Sequence, residues 1–432
     1  MSVSVIIMAA GQGTRMKSKT PKVLHKICGK PMIYYAIREA QKLSNDVQVV
    51  LYHEFEMIKT QIEDEFLGVR FCIQDHANFP GTAGAVMAAS PKNDRVIVLN
   101  GDMPLVSAEA IAPLLEYKAE AVMCAISLQN PGGYGRVITD GDEVIRIVEE
   151  KDASLAEKKI GLVNAGVYAF DALFLKEALA SIDSNNAQKE YYLTDTIGYG
   201  VKNGKAVKWV EVTEEEFKGV NSKVDLAHAE ELMLDKIRAK WMREGVTMRL
   251  PQTIYIDDAV EFIGECEVES HCVIKGKSRI ERSVIKAGSV VEDATMYDSD
   301  CGPMARLRPK TVIKGTHIGN FVECKNARLD GVKAGHLSYL GDCAADEGTN
   351  IGAGTITCNY DGVKKYETKI GKNVFIGSDT QLVAPVTLED NTMIAAGTTV
   401  TKDVVSGSLA ISRSPQKSIA GFFDRFFGKK DV

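Results

Sequence analysis

Aliphatic residues recur at every sixth position in the second half of the chain. One block comprises Ile256, Phe262, Val268, Ile274 and Ile280, and a later block comprises Ile370, Ile376, Leu382, Leu388, Ile394 and Val400. A second column runs in step with the later block, through Val374, Thr380, Val386, Thr392 and Thr398. No α-helix has a six-residue period, whereas a short parallel strand followed by a tight turn does, and three such strands close one coil. The pattern predicts a parallel β-helix with small residues at its corners.

The six-residue period lapses between about residues 300 and 350. We expect loops or insertions to interrupt the coils there. A β-sandwich with a chance run of aliphatic residues is the alternative, but eleven positions in register favour the β-helix.

The first half of the chain alternates short apolar runs with helical spacing. Residues 3–10, 47–52 and 95–99 have the composition of buried strands, and residues 33–43 have the spacing of an amphipathic helix. Strands that alternate with helices predict a parallel sheet with crossover helices. Ligands of such sheets bind beyond the carboxyl ends of the strands, where the loops after Ala10 and Leu99 fall.

A helical stretch at 223–244 separates the two patterns. Asn221 and Ser222 are suited to cap its start and Gly245 to end it. A helix of this length extends for roughly 33 Å, as a connector would. The predicted division is therefore 1–221 for the first domain, 222–245 for a linker helix and 246–432 for the β-helix domain with its tail.

Composition limits the classes of partner. The chain has 432 residues and a net charge of −6, which argues against general nucleic-acid binding but allows small anionic substrates. Its nine cysteines include no C-x-x-C pair, and no signal peptide or apolar run long enough for a membrane span is evident. These features predict a cytoplasmic protein with free thiols and no zinc site.

A glycine-rich loop, Gly11–Met16, follows the first strand. It lacks the third glycine of a dinucleotide fingerprint and the Gly-Lys-Ser/Thr of a Walker loop. Arg15 and Lys22 supply two cations beside the turn, which suits a triphosphate and a second phosphate. A plain strand–helix turn remains the alternative for the loop by itself.

Polar groups near two other predicted strand ends extend this constellation. Gln74, which precedes the turn Gly81–Thr82, carries a donor and an acceptor suited to a base edge. Asp102 follows the third strand and is a suitable oxygen ligand for Mg²⁺, although an Asp after Gly is commonly a turn residue.

The run Ala9–Met16 with Pro21-Lys22 resembles the signature of sugar-1-phosphate nucleotidyltransferases. Together with the β-helix, nearly the whole chain resembles the bacterial family of bifunctional UDP-N-acetylglucosamine pyrophosphorylases/glucosamine-1-phosphate N-acetyltransferases. The resemblance implies a Rossmann-like nucleotidyltransferase domain, a linker helix and a left-handed parallel β-helix of hexapeptide repeats. Further matching stretches are Gly135-Arg136, Ile147–Glu149, Asn164–Gly166, Gly219–Asn221, Arg306–Pro309, Gly319–Glu323, Lys333–His336, Asn350–Gly354 and Thr357–Gly362.

For the first domain the resemblance implies transfer of a uridylyl group from UTP to N-acetylglucosamine-1-phosphate, with release of pyrophosphate. The substrate phosphate is the nucleophile, so catalysis amounts to positioning and charge neutralisation by Mg²⁺, Arg15 and Lys22. Asp102 and Asn221 would hold the Mg²⁺. The implied UDP-N-acetylglucosamine contacts are Met8, Ala9, Ala10, Gly11, Lys22, Gln74, Gly81, Thr82, Asn100, Gly101, Asp102, Gly135, Glu149, Asn164 and Asn221. The segment between Gln74 and Gly81 is longer than the family pattern, and its His76 is interpreted as a loop residue.

For the second domain the resemblance implies acetyl transfer from acetyl-CoA to glucosamine-1-phosphate. His336 has the intrinsic pKa of a general base that deprotonates the ammonium. Glu323 is expected either to orient His336 or to hold the ammonium. The implied substrate contacts are Arg308, Glu323, Lys325, Tyr339 and Asn350, and the implied acetyl-CoA contacts are Ala353, Asn359, Tyr360, Ser378, Ala396 and Arg413. Backbone amides near Ala353 are suited to an oxyanion.

Two features depart from the family pattern in the β-helix. Cys324 stands beside Lys325 and is interpreted as an incidental small residue, because nothing nearby requires a thiolate. The segment 343–347 lacks the usual aliphatic–glycine pair, which questions the packing of one coil.

The resemblance also implies a homotrimer with acetyl-CoA sites between subunits, and a product that serves as precursor of peptidoglycan and lipopolysaccharide. The aromatic tail 421–430 is predicted to pack against the β-helix or a neighbouring subunit, with contact to an anionic membrane surface as the alternative. Two other functions stay open at this point: a nucleotidyltransferase whose β-helix is only a trimerisation scaffold, and a non-enzymatic nucleotide-sugar sensor.

Overall fold

The computed structural model describes residues 2–428 of the chain. Contacts divide the chain into two compact units, Met1–Leu234 and Asp235–Val432. The division falls inside the helix Lys223–Arg243, at the place where the sequence predicts a connector. The first unit contains a nine-stranded sheet and the second contains stacked coils of short strands.

Nine strands form the sheet of the first unit. In chain order they are β1 (Val3–Met8), β2 (Asp46–Leu51), β3 (Arg70–Ile73), β4 (Arg95–Asn100), β5 (Ala121–Ser127), β6 (Arg136–Asp140), β7 (Glu143–Val148), β8 (Leu162–Asp171) and β9 (Val207–Glu211). Their order across the sheet is β3-β2-β1-β4-β8-β5-β9-β7-β6, and a separate two-stranded hairpin joins Lys26–Ile27 to Lys30–Pro31.

The sheet is mixed rather than parallel throughout. Strands β1 to β4 are mutually parallel, as the sequence predicts. The expectation fails beyond β4, because β8 is antiparallel to both of its neighbours, β4 and β5. A parallel return needs a crossover connection, and the segment between β5 and β8 instead forms the antiparallel hairpin β6–β7.

Helices of the first unit cover the sheet on both faces. They are α1 (Met32–Leu43), α2 (Phe55–Ile62), α3 (Thr82–Met87), α4 (Ala108–Ile111), α5 (Ala172–Ser181), α6 (Thr194–Lys202) and α7 (Glu214–Phe217). Helix α8 (Lys223–Arg243) crosses the division between the units, and α9 (Phe422–Phe427) lies in the tail. Alternate residues of β1 enter two separate cores: Val5 and Ile7 pack with Ile37 of α1, whereas Ile6 packs in the cluster that contains Phe174 of α5. Burial on both faces explains the continuous apolar run of β1.

Helix α8 begins with reciprocal capping bonds. The Asp225 N–H donates to the Ser222 hydroxyl over 3.2 Å, and the Asp225 carboxylate accepts from the Ser222 hydroxyl (2.8 Å) and the Asn221 N–H (3.1 Å). This fixes Asn221 at the end of the loop that precedes the helix. Gly245 follows the last turn with a φ of 98°, a region that favours glycine.

The second unit is a left-handed parallel β-helix. Each coil contributes a strand to each of three sides. Side one consists of Thr247–Met248, Glu267–Val268, Val284–Ile285, Asp300–Cys301, His317–Asn320, Lys333–His336, Asn350–Ile351, Phe375–Ile376, Met393–Ile394 and Leu409–Ala410. Side two consists of Tyr255–Ile256, Val273–Lys275, Val290–Glu292, Arg306–Leu307, Ile356–Cys358, Gln381–Val383 and Thr399–Val400. Side three consists of Glu261–Ile263, Arg279–Glu281, Thr295–Tyr297, Val312–Lys314, Thr368–Ile370 and Val386–Leu388. The strands Glu323–Asp330 and Tyr339–Ala345 run through the corner from side two to side three.

The predicted columns occupy the interior of the coils. All eleven residues of the six-residue period are buried, and so are the five residues of the second column. The Thr380 and Thr392 hydroxyls donate to the carbonyl oxygens of Gly377 and Glu389, which satisfies these polar groups inside the stack. A Cβ atom on Gly377 would lie 2.5 Å from the Ala396 nitrogen, so this corner requires glycine.

The expected interruption between 300 and 350 is wrong. The interior column continues there through Cys301, Leu307, Ile313, Ile318, Cys324, Leu329, Ala334, Leu340, Ala345 and Ile351, all of them buried. Successive interior residues are five or six positions apart, because many turns are one residue shorter than in the later block. The period therefore lapses while the parallel ladder stays intact.

The insertion lies after this region. Ala345 pairs with Ile370, and the additional residues form a small loop closed by an antiparallel bridge between Tyr360 and Lys365. The coil that contains residues 343–347 forms in spite of its unusual sequence, since Cys343 and Ala345 are both buried.

The tail does not pack against the β-helix of its own chain. Every residue from Ile411 to Gly428 is exposed, and the aromatic rings of α9 contact one another. Residues 429–430 of the predicted tail segment lie outside the described residues. Within residues 2–428, no helix combines the length and the apolar character that crossing a membrane requires.

Candidate active sites

A cavity of about 540 Å³ opens at the carboxyl ends of β1 and β4. Its lining residues come from the glycine loop, the loops that follow three strands, and the loop before α8. They are Met8, Ala9, Ala10, Gly11, Gln12, Gly13, Thr14, Arg15, Lys22, Val23, Gln74, His76, Gly81, Thr82, Ala85, Asn100, Asp102, Glu190 and Asn221. The structure thus brings together twelve of the residues that the resemblance implies, from segments that are far apart in the sequence.

Cations and oxygen groups are already paired inside this cavity. The Lys22 ammonium contacts the Asp102 carboxylate and, over 2.7 Å, the Asn221 amide oxygen. The Arg15 guanidinium donates to the same Asn221 oxygen over 2.8 Å. The two predicted metal ligands, Asp102 and Asn221, therefore converge on one positive charge.

Glycine is required where the loop passes Lys22. Gly13 has a φ of 63°, and a Cβ atom there would lie 2.5 Å from the Lys22 Cβ. A side chain at position 13 would displace Lys22 from the cavity. Gly101 does not line the cavity, but its N–H donates to the Met8 carbonyl oxygen over 2.9 Å and ties the loop after β4 to the end of β1.

Gln74 is buried and held in one orientation by its own loop. Its Nε2 donates to the carbonyl oxygens of Phe79 and Gly81, each over 2.9 Å. Both amide hydrogens are therefore used within the protein, which leaves Oε1 as the group available to a ligand. His76 of the same loop also lines the cavity and stacks on Tyr52, with ring centroids 4.5 Å apart. The sequence interpretation of His76 as a loop residue omitted its place at the cavity.

The residues implied to bind the sugar form a cluster connected to this cavity. The Asn164 N–H donates to the Gly135 carbonyl oxygen over 2.8 Å, and a Cβ atom on Gly135 would lie 3.3 Å from Glu149 Oε2. Asn164 accepts from the Gly166 N–H, while the Gly166 carbonyl oxygen accepts from the cavity residue Asn100. Gly135, Glu149 and Asn164 thus lie next to the cavity rather than in its lining.

Glu149 of the sugar cluster and the neighbouring Asp195 both have raised pKa values. Burial raises the pKa of Glu149, although a hydrogen bond from the Thr194 hydroxyl opposes the shift. Desolvation, together with the negative charges of Glu149, Asp183 and Asp152, raises the pKa of Asp195 to about 6. This side of the site disfavours additional negative charge, in contrast to the Arg15 and Lys22 side.

A column of residues marks the second candidate site, along the corner between sides one and two of the β-helix. Its members each lie two positions after an interior residue of side one, on successive coils. They are Asn320, His336, Ala353, Ser378 and Ala396. The implied base and three implied acetyl-CoA residues therefore share one edge. The Arg413 guanidinium reaches the far end of this edge and donates to the Ala396 carbonyl oxygen over 2.6 Å.

The imidazole of His336 is oriented by Asn320. The distance between His336 Nδ1 and Asn320 Oδ1 is 2.8 Å. Glu323 instead accepts from the Arg308 guanidinium over 2.7 Å, a pair that raises the pKa of Arg308. Of the two roles expected for Glu323, orientation of His336 is therefore not the one the structure shows. Asn320 was missed because the lapsed six-residue period conceals the coil spacing of 16 residues that separates it from His336.

Cations gather at the opposite edge of side two. A side-chain hydrogen bond with Lys365 and the positive charges of Lys365 and Arg308 lower the pKa of Lys325. The Arg308 N–H donates to the Cys324 carbonyl oxygen over 2.8 Å, which sets Arg308 beside Lys325. Arg308 and Lys325 are implied by the resemblance, whereas Lys365 was missed. Its position in the insertion loop, far from Lys325 in sequence, concealed it. Like charges in one place are suited to bind a phosphate.

The remaining implied residues are distributed over two sides. Tyr339 is the strand partner of Glu323 on side two, and Asn359 donates to Asp342 at the edge of that side. The exposed Tyr360 donates to the Gly362 carbonyl oxygen over 2.6 Å. Asn350 pairs with Lys333 and Phe375 on side one, so one chain does not bring it to Arg308 and Lys325.

Cys324 lies in the interior of its coil. Burial raises the pKa of its thiol, and the side chain has no exposed surface. A reactive thiolate needs access and a stabilising positive charge. Its interpretation as a packing residue agrees with this position.

Known families and proteins match both halves of the chain. A MobA-like NTP transferase domain matches residues 5–151, and the bacterial transferase hexapeptide, with six repeats, matches residues 367–402. A "Bifunctional protein GlmU" of Wolinella succinogenes is 59% identical over 99% of both chains. One of a Nitratiruptor species is 57% identical over 99% of this chain and 100% of the relative. Among solved structures, the inositol-1-phosphate CTP transferase from T. maritima has a TM-score of 0.44 and 16% identity, over 53% of this chain and 94% of that one.

Proposed function

Because the chain belongs to the GlmU family of bifunctional enzymes, it catalyses acetyl transfer and uridylyl transfer, and we propose which of its residues perform each reaction. Acetyl-CoA acetylates glucosamine-1-phosphate, and the product then receives a uridylyl group from UTP to give UDP-N-acetylglucosamine and pyrophosphate. We assign uridylyl transfer to residues 1–221 and acetyl transfer to residues 246–432, joined by the linker 222–245. The cation-lined cavity of the first unit and the corner of the second unit that carries His336 support this assignment.

In uridylyl transfer the cavity neutralises and aligns two phosphate groups. An oxygen of the sugar phosphate attacks the α-phosphorus of UTP, the bond to the β-phosphate bridge breaks, and pyrophosphate leaves. Arg15 and Lys22 exchange their present partners for phosphate oxygens, where their charge lowers the barrier. Gln74 Oε1 is oriented to accept the N3–H of uracil, which cytosine lacks. Gly135, Glu149 and Asn164 hold the sugar beside the cavity.

Asp102 and Asn221 fit a divalent cation. Their oxygens already converge on the Lys22 ammonium, so two hard ligands face one cation position, as Mg²⁺ prefers. When bound, Mg²⁺ supplies neutralisation of phosphate charge. We assign Asp102 and Asn221 as its protein ligands.

In acetyl transfer His336 removes a proton from the ammonium of glucosamine-1-phosphate. The free amine attacks the thioester carbonyl, the carbon–sulfur bond breaks, and the sulfur leaves as a thiolate that takes the proton from the imidazolium. The second proton on the nitrogen is released to solvent as the neutral amide forms. Arg308 and Lys325, with Lys365, bind the sugar phosphate, while Tyr339 and Asn350 contact the sugar. Ala353, Asn359, Tyr360, Ser378, Ala396 and Arg413 bind acetyl-CoA.

A trimer would complete this second site. Asn350 lies on side one, apart from the cations of side two, so a neighbouring copy is needed to bring the implied substrate contacts together. The outward column that follows Asn350 on side one is apolar, since Phe375, Met393 and Leu409 are 49–58% exposed. An exposed apolar stripe of this kind is typical of an interface. We propose that three copies associate through the β-helix and place acetyl-CoA between subunits.

We place the enzyme in the cytoplasm, where UTP and acetyl-CoA are available and its nine cysteines remain reduced. Its product would supply peptidoglycan and lipopolysaccharide synthesis. The test is a two-assay measurement on purified protein, in which glucosamine-1-phosphate, acetyl-CoA, UTP and Mg²⁺ are omitted one at a time. Omission of Mg²⁺ should stop pyrophosphate release and spare CoA release. Equal sensitivity of both reactions would contradict the metal assignment.

A further inference from the structure

We propose that Asn320 is a positioning residue for acetyl transfer, which holds His336 in the tautomer whose free lone pair is on Nε2. The inference rests on the proposed role of His336 as the base. It adds a residue that neither the family comparison nor the sequence assigns, and it gives the imidazole an uncharged partner.

The coil register brings the two side chains together. Asn320 and His336 are paired on adjacent strands of side one, and both stand at the last position of their strand. Neighbouring strands are about 4.8 Å apart, so two side chains that leave in the same direction from paired positions come within hydrogen-bond distance. The observed distance between His336 Nδ1 and Asn320 Oδ1 is 2.8 Å.

The backbone around the pair supports this orientation. Phe321 and Leu337, which directly follow the two residues, have φ values of 59° and 49°. The same left-handed turn recurs at this corner in other coils, at His271, Met304 and Asp379, so it belongs to the regular geometry of the corner. Before the pair, Gly319 and Gly335 pack closely, because a Cβ atom on Gly319 would lie 1.9 Å from the Gly335 carbonyl oxygen. The turn geometry therefore fixes where both side chains leave the corner.

The partner atom decides which nitrogen can act as the base. In the amide orientation that turns Asn320 Oδ1 toward the ring, the oxygen accepts, so His336 Nδ1 donates and carries the proton. A neutral imidazole has one N–H, and the lone pair is then on Nε2, which points away from Asn320. With the opposite tautomer, Nε2 would carry a hydrogen and could not take a proton from the substrate ammonium.

Among the described residues, no carboxylate contacts the His336 imidazole, whose partner is Asn320. The charged or titratable side chains of the adjoining segments 306–308, 323–325 and 339 on side two are Arg306, Arg308, Glu323, Lys325 and Tyr339, and Glu323 is bound to Arg308. An amide fixes the tautomer without adding a negative charge that would stabilise the imidazolium. His336 can therefore return its proton to the departing thiolate without opposition from a neighbouring anion.

The test compares Asn320→Ala and Asn320→Asp with His336→Ala and the Asn320→Ala/His336→Ala double variant. Asn320→Ala should lower kcat for acetyl transfer roughly 10- to 100-fold, the range for groups that orient an imidazole, with little change in the KM for glucosamine-1-phosphate. Asn320→Asp should restore much of kcat and move the acidic limb of the pH profile to higher pH, because a carboxylate stabilises the imidazolium. Pyrophosphate release in the same samples reports correct folding.

The double variant separates positioning from a structural role. If Asn320 acts through His336, Asn320→Ala should have no further effect in the His336→Ala background. Independent, multiplicative losses would overturn the proposal, as would an unchanged kcat or pH profile for the two Asn320 variants. Nitrogen-15 NMR of the histidine rings should show the Nδ1–H tautomer of His336 in the parent and its loss in Asn320→Ala.

Failure of this inference differs from failure of the proposed function. An active His336→Ala enzyme would remove the base itself. An inactive His336→Ala enzyme beside a fully active Asn320→Ala enzyme would leave the base in place and exclude only the positioning role.

Discussion

In the first unit both cations proposed to bind phosphate are bound to internal partners, whereas in the second unit Arg308 is paired with Glu323 and Lys325 is flanked by other positive charges. Lys22 and Arg15 donate to Asp102 and Asn221 within the cavity. A side-chain hydrogen bond with Lys365 and the positive charges of Lys365 and Arg308 lower the pKa of Lys325. At the first site both cations must exchange their present partners for phosphate oxygens, whereas at the second site a phosphate would also offset the positive charge around Lys325.

This difference follows from how each unit is built. The cavity gathers loops from distant parts of a mixed sheet, so opposite charges can be placed face to face across it. The β-helix places residues in columns on a flat side, where the nearest partners are residues on neighbouring coils and in the insertion loop. Because the two proposed sites lie in different units, we expect a mutation in one site to leave the activity of the other unchanged.

The largest expected effect is that of His336→Ala on acetyl transfer. Loss of a general base typically lowers the rate by about 10²- to 10⁴-fold. CoA release, followed with a thiol reagent, should fall by that factor, while pyrophosphate release stays at the parent rate. His271→Ala, at an exposed histidine elsewhere in the β-helix, is the matched control. Parallel loss of both activities would show that the two sites are not independent.

Arg15→Ala should have the converse effect. Removing one preorganised donor to developing phosphate charge costs about 10²- to 10³-fold. Pyrophosphate release should decrease accordingly, with acetyl transfer unaffected, and Arg15→Lys should retain only part of the rate because Lys lacks the planar fork. The exposed Lys19→Ala variant serves as control. A parent-like rate for Arg15→Ala would remove Arg15 from the catalytic set.

Lys22→Met tests the internal pairing of the first site through its effect on the binding of a divalent cation. Since the Lys22 ammonium contacts both proposed metal ligands, it competes with a divalent cation in the nucleotide-free protein. We expect Lys22→Met to bind Mn²⁺ about tenfold more tightly without nucleotide, as measured by electron paramagnetic resonance, because Asp102 is left without its cation. Lys17→Met, at an exposed lysine of the same loop, should match the parent. Equal Mn²⁺ affinities of parent and Lys22→Met would contradict this competition.

The smallest effect concerns stability near the sugar cluster. The pKa of Asp195 is about 6 in the folded chain, above its ordinary value of 3.8, so folding favours the protonated form. The parent should therefore lose stability as pH rises from about 4 to about 6. Asp195→Asn should remove that loss and be more stable above pH 6, by no more than about 1 kcal/mol after solvent screening.

Thermal unfolding of Asp195→Asn and the parent at pH 4, 6 and 8 checks this expectation. The exposed Asp64→Asn variant provides the control, and its difference from the parent should be constant across the three pH values. An advantage of Asp195→Asn that is largest at pH 4 would reverse the sign and refute the electrostatic account.

The regular parts of the fold were predictable because one physical rule repeats. Every residue of the six-residue period lies in the interior of the coils, as burial of a single strand column requires. The six-residue rule does not hold between Ile280 and Ile351, where successive interior residues are five or six positions apart in no fixed order. Periodicity at a fixed spacing cannot detect this change, although the ladder of strands is continuous.

The mixed strand directions in the sheet of the first unit could not be predicted from local sequence patterns. The return of β8 between β4 and β5 depends on pairing between residues that are 35 to 76 positions apart, which hydrophobic spacing does not encode. The same limitation applies at the sites. Arg15, Lys22 and His336 were identified through their local motifs, whereas Asn320, His76 and Lys365 became apparent only when distant segments met.

The regular spacing of coils along the corner that carries His336 sets the distance between the residues on it. Each coil contributes one residue to this edge, and adjacent coils are about 4.8 Å apart. Ala396 is three coils beyond His336, so roughly 14 Å separate the base from the residue that Arg413 contacts. For a linear ligand bound along this edge, the distance between its contacts is therefore a whole number of coil spacings. Insertion or deletion of one coil would change the accepted length by a fixed increment and leave the reacting end untouched.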